Sequence, residues 1–368
     1  MTMTILIDAR ILRTTTGRYV EQLLKYLQEV DTDKTHNYTI LLKPEDMDTW
    51  SPTNERFTKI SSPYKEFTFS EQIGLWWQIH KLKPDLVHFT MVQQPILYRG
   101  KVVTTMHDLT TLRFINPSKN RLVFSVKQQI YKWVNGVVAH KSKAIITPSN
   151  FVKHDIANFA HIDEDKIAVV YEAGELIPNN PELVPELLNK KFIMYVGRPT
   201  PHKNLSKLID AFALLKTTHP DLHLVLVGKE DKLFRLHKRE TQEKNIPDVH
   251  FTGFVGDSNL RWLYENCSAY VFPSLSEGFG LPGLEAMAHG APVVSSNSTC
   301  LPEILGNAAR YFDATKTEGI VSAIDDVLNS QDLRNKLILA GSERVKDFSW
   351  KRTAEQTLQV YNRVISRK

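Results

Sequence analysis

Two glutamates, Glu277 and Glu285, frame a glycine-rich stretch whose residue types suit the binding of a polar ligand. The stretch follows an apolar run at 269–273 and precedes another at 292–295, which predicts a loop that opens a short helix. Glycines let a ligand approach the backbone closely, and a helix starting near Pro282 offers unpaired N–H groups and partial positive charge. Each carboxylate can accept hydrogen bonds from hydroxyl groups of one extended ligand. These features favour a ligand with phosphate and sugar hydroxyls, as in a nucleotide sugar.

A second polar cluster follows the strand predicted at 192–196. Arg198 and Lys203 lie in the turn after that strand, and ligands of parallel sheets bind at the carboxyl ends of the strands. Two fixed cations beside a diphosphate would hold it and stabilise the charge that grows as it leaves. Considered alone, the two basic residues are equally compatible with a solvated turn.

The two clusters together match a family pattern. Residues 276–288, Ser-Glu-Gly-Phe-Gly-Leu-Pro-Gly-Leu-Glu-Ala-Met-Ala, resemble the donor-site signature of retaining glycosyltransferases of the GT-B fold, family 4. The Gly-Arg pair at 197–198 and Lys-Asn-Leu at 203–205 agree with the same family. The alternative is a pair of solvated glutamates near a helix start, where acidic residues are favoured in any case. The glycines and apolar residues between the glutamates favour the family interpretation.

The resemblance implies an α/β protein with two Rossmann-like domains facing each other across a cleft, and it implies a role for each motif residue. Arg198 and Lys203 would neutralise the diphosphate in place of a metal ion. Glu277 would position the hexose, and Glu285 would hold the ribose. The remaining donor-binding candidates of the two motifs are Gly197, Gly278, Phe279, Gly280 and Leu281.

Candidates in the first half of the chain are less regular. His107 follows the strand predicted at 102–106 and resembles the family histidine that faces the donor sugar, which adds it to the catalytic candidates Arg198, Lys203 and Glu277. A histidine at a strand end is otherwise more often structural. Gly17 belongs to a partial match to the family's Gly-x-Gly-Arg-Tyr loop, with Thr15 in place of the first glycine. Gly17 therefore either lies against the donor or simply starts the following helix.

A further turn follows the strand predicted at 249–252. In relatives this turn packs beside the nucleotide base, so Phe254 and Val255 are candidates for base contacts. Packing in the core is the other interpretation of these two apolar side chains.

Strand-like and helix-like segments alternate along the whole chain, which predicts parallel sheets covered by helices on both faces. We expect an N-terminal acceptor domain at 1–175, a proline-rich linker at 176–190 and a C-terminal donor domain at 191–349. The final helix, 350–368, would in this fold return to complete the first domain.

Composition limits the classes of protein that are compatible with the sequence. The 368 residues are 42% hydrophobic and 24% charged, which is ordinary for a globular enzyme of two domains. The two cysteines, Cys267 and Cys300, imply no disulfide framework and favour a reducing, cytoplasmic location. The formal charge of +5 is modest, and without a nucleic-acid motif we expect no nucleic-acid partner.

Two other segments have alternative interpretations. The triplets Asp31-Thr32-Asp33 and Asp46-Met47-Asp48 could hold a metal ion on a diphosphate, but solvated turn carboxylates explain both, and we expect no metal or other cofactor. Residues 119–143 alternate basic and apolar side chains. Such a helix can lie peripherally on an anionic membrane, or it can pack on the core with a solvated basic face.

The predicted function is metal-independent transfer of a hexose, with retention, from a nucleotide-diphosphate sugar to a hydroxyl of a glycan or lipid-linked acceptor in surface polysaccharide synthesis. Overall resemblance favours mannose from GDP-mannose, with UDP sugars as the alternative. A nucleotide-sugar epimerase shares this architecture but needs acid and base residues that the sequence does not offer, and a non-catalytic sugar-nucleotide binder is compatible with the altered Gly17 loop.

Overall fold

The computed structural model describes residues 2–14, 16–32, 36–114 and 121–366, with only the backbone described at 121–124. The chain forms two compact units. Unit 1 contains residues 2–109, 126–172 and 349–366, and unit 2 contains residues 173–348 together with the described part of 110–125.

Unit 1 is built on one sheet of parallel strands. Its strands are β1 (Met3–Asp8), β2 (His36–Leu42), β3 (Phe57–Ser61), β4 (Leu86–Phe89), β5 (Val102–Thr105), β6 (Ala144–Thr147) and β7 (Ile167–Val169). They are arranged in the order β3-β2-β1-β4-β5-β6-β7, and every neighbouring pair is parallel. The carboxyl ends of all these strands therefore lie along one edge of the sheet.

Helices connect these strands. They are α1 (Gly17–Val30), α2 (Trp76–Leu82), α3 (Thr110–Arg113), α4 (Arg121–Lys141) and α5 (Asn150–Ala160), and short helical turns lie at Pro44–Asp46, Glu71–Leu75 and Glu164–Lys166. α1 is amphipathic because Val20, Leu23, Leu24 and Leu27 recur on one buried face. This matches the helix predicted from that spacing.

Unit 2 has the same plan. Its sheet contains β8 (Lys191–Val196), β9 (Leu222–Val227), β10 (Val249–Gly253), β11 (Ala269–Phe272), β12 (Val293–Ser296) and β13 (Ala309–Phe312), in the parallel order β10-β9-β8-β11-β12-β13. Its helices are α6 (Leu205–Leu215), α7 (Lys232–Glu243), α8 (Asp257–Asn266), α9 (Leu281–Ala288), α10 (Leu301–Leu305), α11 (Thr317–Asn329) and α12 (Gln331–Val345), with short turns at Pro185–Leu187 and Pro201–Lys203. Leu208, Phe212 and Ile324 pack α6 and α11 on the sheet in one buried cluster.

The central strands are apolar because helices cover both faces of each sheet. β4, β5, β6, β11 and β12 consist entirely of buried residues, as the sequence predicts for a parallel sheet. The sequence analysis does not include β3 and β13, which lie at sheet edges. Exposed or half-exposed positions interrupt their apolar residues, and such mixed patterns are typical of edge strands.

The last helix, α13 (Trp350–Ser366), belongs to unit 1. Trp350 and Tyr361 are fully buried, and the Thr353 hydroxyl donates a hydrogen bond of 2.6 Å to the carbonyl of Tyr171. Its N-terminal turn is thus attached to the segment that follows β7. Only residues up to 366 of the predicted 350–368 helix are described.

Candidate active site

The glycine-rich loop of unit 2 connects β11 to α9 and has a backbone shape that requires glycine. Gly280 precedes the helix with φ of +101°, in the left-handed region. A Cβ at this position would lie 2.8 Å from Leu301 Cδ2 and 3.3 Å from the Phe272 ring. Gly290 has φ of +74° two residues after the helix, consistent with the predicted end of α9. The glycine spacing of the motif is therefore explained by the local fold as well as by ligand approach.

Lys203 and Glu277 form an ion pair at the centre of this loop. The Nζ of Lys203 donates to Glu277 Oε1 at 2.6 Å, and both side chains are largely buried. The backbone N–H of Glu277 donates to Thr299 Oγ1 at 3.0 Å, and the Thr299 hydroxyl donates to the Glu277 carbonyl at 3.1 Å. Glu277 is therefore fixed through both its backbone and its carboxylate.

The turn that carries Lys203 is attached to the same loop. Asn204 has φ of +60°, and its amide donates to the carbonyls of Pro273 and Ala314 at 3.1 and 2.9 Å. The N–H of Leu275 donates to the carbonyl of His202 at 2.7 Å. Since β8 and β11 are neighbours in the sheet, the two sequence motifs meet at one strand edge, as the sequence analysis expects.

Two buried groups near Glu277, the Tyr195 phenol and the Cys300 thiol, are uncharged. The hydroxyl of Tyr195 is buried without a hydrogen-bond partner among the described residues, and burial together with the charge of Glu277 raises the pKa of this phenol. Burial and the same charge also raise the pKa of the Cys300 thiol. Both groups therefore stay neutral. The positive charge that compensates Glu277 is that of Lys203.

Arg198 lies apart from this ion pair. Its guanidinium is mostly exposed, and Nε donates to Asp231 Oδ2 at 3.3 Å. Burial alone would raise the pKa of Asp231, but hydrogen bonds from the N–H groups of Phe234 and Leu233 and from Arg198 lower it. Arg198 is thus an accessible cation at the strand edge, steadied by the residue that caps α7.

Glu285 lies on α9 and is buried. The Tyr264 hydroxyl donates to Glu285 Oε2 at 3.3 Å. His289 accepts the N–H of Ile177 at Nε2 and therefore donates from Nδ1 to the Glu285 carbonyl, at 3.0 and 2.7 Å. The carboxylate is held by a tyrosine that the sequence analysis did not identify.

The remaining motif candidates differ in exposure. The Phe279 ring is buried edge-on against Phe348, with centroids 5.6 Å apart, so its backbone rather than its ring is the candidate for ligand contact. Phe254 is 83% exposed, which excludes core packing for that side chain. Val255 is half-buried and lines a cavity of about 680 Å³ beside β10. Gly197 has φ of +150°, while Gly278 is buried and Leu281 half-buried.

In unit 1, His107 occupies the end of β5 between two acceptors. Its Nε2 lies 3.0 Å from the carbonyl oxygen of Thr90, and its Nδ1 lies 3.3 Å from Glu172 Oε1. The Tyr19 ring packs edge-on against the imidazole at 4.9 Å. A carbonyl and a carboxylate both accept hydrogen bonds, so the two contacts suit an imidazolium, which donates from both ring nitrogens.

Electrostatics agree with this assignment. Burial by itself lowers the pKa of His107, but the hydrogen bond and charge of Glu172, the Thr90 carbonyl and the charge of Asp108 together raise it above the ordinary value. Three buried side chains near the His107 imidazole are linked by hydrogen bonds. Thr105 Oγ1 lies 2.9 Å from the Tyr19 hydroxyl and 2.8 Å from His88 Nε2. Burial, with the charge of His107, lowers the pKa of His88 to about 3, so His88 is neutral.

The Gly17 position is explained by packing. A Cβ there would lie 1.7 Å from the backbone oxygen of Leu12, so no larger residue fits this start of α1. This observation supports the helix-start interpretation without testing contact with a donor. Thr15 lies outside the described residues.

The aspartate triplets differ from the expectation of solvated turns. Asp31 and Asp46 are both buried. The prediction of a solvated carboxylate is therefore wrong for both Asp31 and Asp46. Asp31 accepts from the Tyr38 hydroxyl at 3.0 Å and from Arg56 at 3.1 Å, and the charge of Arg56 compensates that of Asp31. Asp33 lies outside the described residues. Within the described ranges, no group of three metal-ligating side chains is close enough to hold an ion.

Sequence reasoning did not identify Glu172, Tyr264 or Thr299, each of which contacts a predicted site residue. Glu172 follows β7 at the same sheet edge as His107, and that position is the signal that could have identified it. Tyr264 and Thr299 lie in α8 and in a loop, without a recognisable pattern.

Comparison with known proteins gives a consistent family assignment. The family profile described as "Glycosyltransferase Family 4" matches residues 16–173, and that described as "Glycosyl transferases group 1" matches residues 179–344. The O-antigen chain mannosyltransferase B of Escherichia coli is 31% identical over 274 residues, which cover 71% of this chain and 70% of that protein.

Solved structures agree in fold. Sucrose-phosphate synthase from Thermosynechococcus elongatus superposes with a TM-score of 0.78 and 18% identity over 100% of both chains. Anabaena HepE, in a complex with UDP-glucose, gives a TM-score of 0.72 and 16% identity over 98% of this chain and 100% of that one. Two parallel α/β sheets, two family profiles that together span most of the sequence, and this mannosyltransferase relative lead to one conclusion: the chain belongs to the group 1, family 4 glycosyltransferases of the GT-B fold.

Proposed function

We propose that this enzyme transfers a hexose, with retention and without a required metal ion, from a nucleotide-diphosphate sugar to a hydroxyl of a glycan or lipid-linked acceptor. The observation that carries the proposal is the Lys203–Glu277 pair at 2.6 Å, fixed at the carboxyl edge of the unit 2 sheet. A cation and a carboxylate held together in this way match a donor that presents phosphate oxygens and sugar hydroxyls side by side.

Departure of the diphosphate is the step that the cations of unit 2 support. Negative charge grows on the leaving phosphate oxygen, and positive groups that are already in place stabilise that charge with little reorganisation. Lys203 is such a group, and the exposed Arg198 can turn toward a ligand by leaving Asp231. The start of α9 adds N–H groups and a partial positive charge, and within the described residues no side chain caps it.

His107 contributes a positive charge in this proposal and does not act as a base. Both of its ring nitrogens already donate, to Thr90 and Glu172, so neither can accept the acceptor's proton. This favours a front-face reaction in which the departing phosphate oxygen takes that proton, with catalysis by positioning and electrostatics. The assignment of His107 to the reaction rests on the family resemblance.

Mannose from GDP-mannose is the preferred donor because the E. coli relative is a mannosyltransferase of O-antigen chains. UDP sugars remain the alternative, since the structurally similar HepE binds UDP-glucose. The same relative suggests an acceptor that belongs to a growing surface polysaccharide. Glu285 would hold the ribose, and Phe254 and Val255 would contact the base.

A lipid-linked acceptor would bring the enzyme to a membrane, and we propose peripheral contact through the basic segment 119–143, of which 119 and 120 lie outside the described residues. Within the described parts of the chain, no helix is long and apolar enough to cross a bilayer.

The test is a melting-temperature panel with GDP, UDP and ADP and their sugar conjugates, with and without EDTA, on wild type and Glu285→Ala. We expect one base to raise the melting temperature of wild type alone, in EDTA as well as without it. Transfer to a glycan acceptor, with NMR of the product's anomeric proton, then tests retention. A shift that requires metal would refute metal independence. Epimerised donor, or binding without transfer, would support the epimerase or the non-catalytic binder instead.

A further inference from the structure

We propose that unit 1 rests on an anionic lipid bilayer through a docking face made by two exposed apolar stripes, of which only one lies in the basic segment singled out above. The first stripe is Phe69, Ile73 and Trp77, at the start of and within the helical segment that includes α2. The second is Val126, Ile130 and Trp133 on α4. All six side chains are more than half exposed.

Each stripe is one face of a helical segment. Residues 69, 73 and 77 are four apart, and residues 126, 130 and 133 are four and three apart, so each set projects to one side. Soluble proteins rarely expose so many large apolar side chains in two such rows. The opposite sides carry buried residues, for example Leu75, Ile79 and Val138, which fix the orientation of both segments.

The two segments that carry the stripes are neighbours in unit 1. The ring of Phe67 lies 6.5 Å from that of Tyr131, which joins the first segment to α4. A loop between the segments is bonded to both: Gln72 Oε1 accepts the N–H of Ile96 at 3.0 Å, and Lys141 Nζ donates to the carbonyl of Pro95 at 2.6 Å. Leu97, on this loop, is 75% exposed. The loop thus adds an apolar side chain between the stripes.

A buried ion network holds the first stripe in place. Glu71 accepts from Arg10 at 2.9 Å through one carboxylate oxygen and from the N–H of Phe67 at 2.9 Å through the other. Phe67 is kept at φ of +63°, an unfavourable backbone conformation for a bulky residue, with its ring exposed. Strain of this kind persists where the surroundings impose it, and it is common where a side chain has a function. The exposed position of the Phe67 ring is therefore fixed by the fold and does not depend on a bound partner.

The positive charge of the segments around the two stripes indicates that the partner of the docking face is anionic. Segments 64–83, 95–101 and 125–143 carry nine lysines and arginines against two glutamates, whereas the formal charge of the whole chain is only +5. The two glutamates, Glu66 and Glu71, are paired with Lys43 and Arg10. Lys81 Nζ lies over the Trp77 ring at 5.7 Å, which places a cation at the margin of the first stripe.

Aromatic and aliphatic side chains surrounded by lysines fit the chemistry of a bilayer interface, where rings enter the headgroup region and cations meet anionic lipid. A second copy of this chain would bring the same positive charges together, so it is the less compatible occupant. The inference extends the proposed membrane contact but does not depend on the donor assignment.

The experiment is co-sedimentation of the full chain with vesicles of phosphatidylcholine alone or with 30% phosphatidylglycerol, in low and high salt. The apolar variants are Ile73→Ser with Trp77→Ser, and Ile130→Ser with Trp133→Ser. The charge variant is Lys127→Glu with Lys132→Glu. Matched controls in unit 2 are Leu236→Ser with Leu339→Ser, and Lys238→Glu with Lys336→Glu, all of them exposed positions.

We expect wild type to bind the anionic vesicles at least tenfold more tightly than neutral ones, with each docking-face variant at least tenfold weaker and the controls within about twofold. Unchanged melting temperatures would show that the variants fold. Wild type that ignores anionic vesicles, or variants that bind as well as the controls, would overturn the proposal. Loss of a dimer in the variants, without vesicle binding by wild type, would assign the face to a second copy. A normal nucleotide-induced melting shift in a variant that no longer binds vesicles separates this inference from the donor site.

Discussion

Two ion pairs, one in each unit, differ in how they are encoded. Lys203–Glu277 in unit 2 joins two contiguous motifs, one in the turn after β8 and one in the loop after β11. His107–Glu172 in unit 1 joins two residues that stand in no motif together, although they follow strands of the same sheet. In the first pair the glycine-rich loop and the left-handed Asn204 constrain the backbone on both sides. In the second the constraint comes from buried side chains such as Tyr19 and Thr105.

A site built on backbone shape leaves a contiguous pattern in the sequence. A site built on side-chain packing leaves residues that are scattered along it. The difference also suggests different functions. The first pair is short and lies where glycines open the backbone to a ligand. The second has both ring nitrogens satisfied within unit 1, so its contribution is a fixed charge.

The largest effect is expected from breaking the first pair. Lys203→Met and Glu277→Gln should each lower kcat by about 100- to 1,000-fold, because a positioned group that stabilises transition-state charge is lost. The double variant should be little worse than either single variant if the two residues act as a unit. Steady-state transfer rates of the four proteins form the cycle. Fully multiplicative losses would show that the residues act independently.

Unit 1 also contains a backbone constraint, at Gly17, and stability tests it. Gly17→Ala should reduce the free energy of unfolding by about 3 kcal/mol, since its Cβ would overlap the Leu12 backbone oxygen, which cannot move aside as a side chain can. The matched control is Gly136→Ala in α4, where a Cβ meets nothing within 4 Å. There, the better helix former should add about 0.5–1 kcal/mol. Denaturant unfolding measures both, and an equal response of the two variants would contradict the packing explanation of Gly17.

The second pair predicts a pH dependence. The pKa of His107 is raised in the folded chain, so its contribution to stability is fully present below the ordinary histidine pKa and is lost as pH rises through the raised value. Glu172→Gln removes the charge that raises it. The free energy of unfolding of Glu172→Gln should therefore fall furthest below that of wild type in mildly acidic buffer. The difference between the two proteins should shrink at alkaline pH.

The protonation state of His107 should also affect the transfer rate, and the rate of the variant should differ most from that of wild type at alkaline pH. If the imidazolium assists transfer, the alkaline limb of the rate profile of Glu172→Gln should lie at lower pH than that of wild type. The variant should then transfer more slowly above the ordinary histidine pKa and differ little well below it. Nitrogen NMR of His107 gives a readout that activity does not affect. Superimposable profiles with an unchanged histidine pKa would remove Glu172 from any positioning role.

Most of the fold follows from the sequence, because alternating apolar runs and helical spacing predict parallel sheets wherever strands are buried on both faces. The edge strands β3 and β13 escape this reasoning because exposed or half-exposed positions interrupt their apolar residues, whereas the edge strand β10 was predicted. In the site, the motif residues Lys203 and Glu277 were identified, but their direct contact was not, since a contact depends on strand order. Glu172 could have been inferred from its position after β7, but Tyr264 and the burial of Asp31 could not, because both depend on partners elsewhere in the sequence.

The smallest effect is expected at Phe254, the proposed base contact of unit 2. Phe254 is the one donor-binding candidate of the described residues whose ring is largely exposed. A nucleotide base that stacks on this ring would bury it. Phe254→Ala should raise KM for the donor about two- to tenfold, as loss of one stacking contact implies, and leave kcat unchanged because the base is remote from the reacting bond. Leu236→Ala, another exposed apolar side chain of unit 2, is the control and should not change KM. A fall in kcat would instead place Phe254 among the groups that respond to the transition state, and the proposed base contact would be wrong.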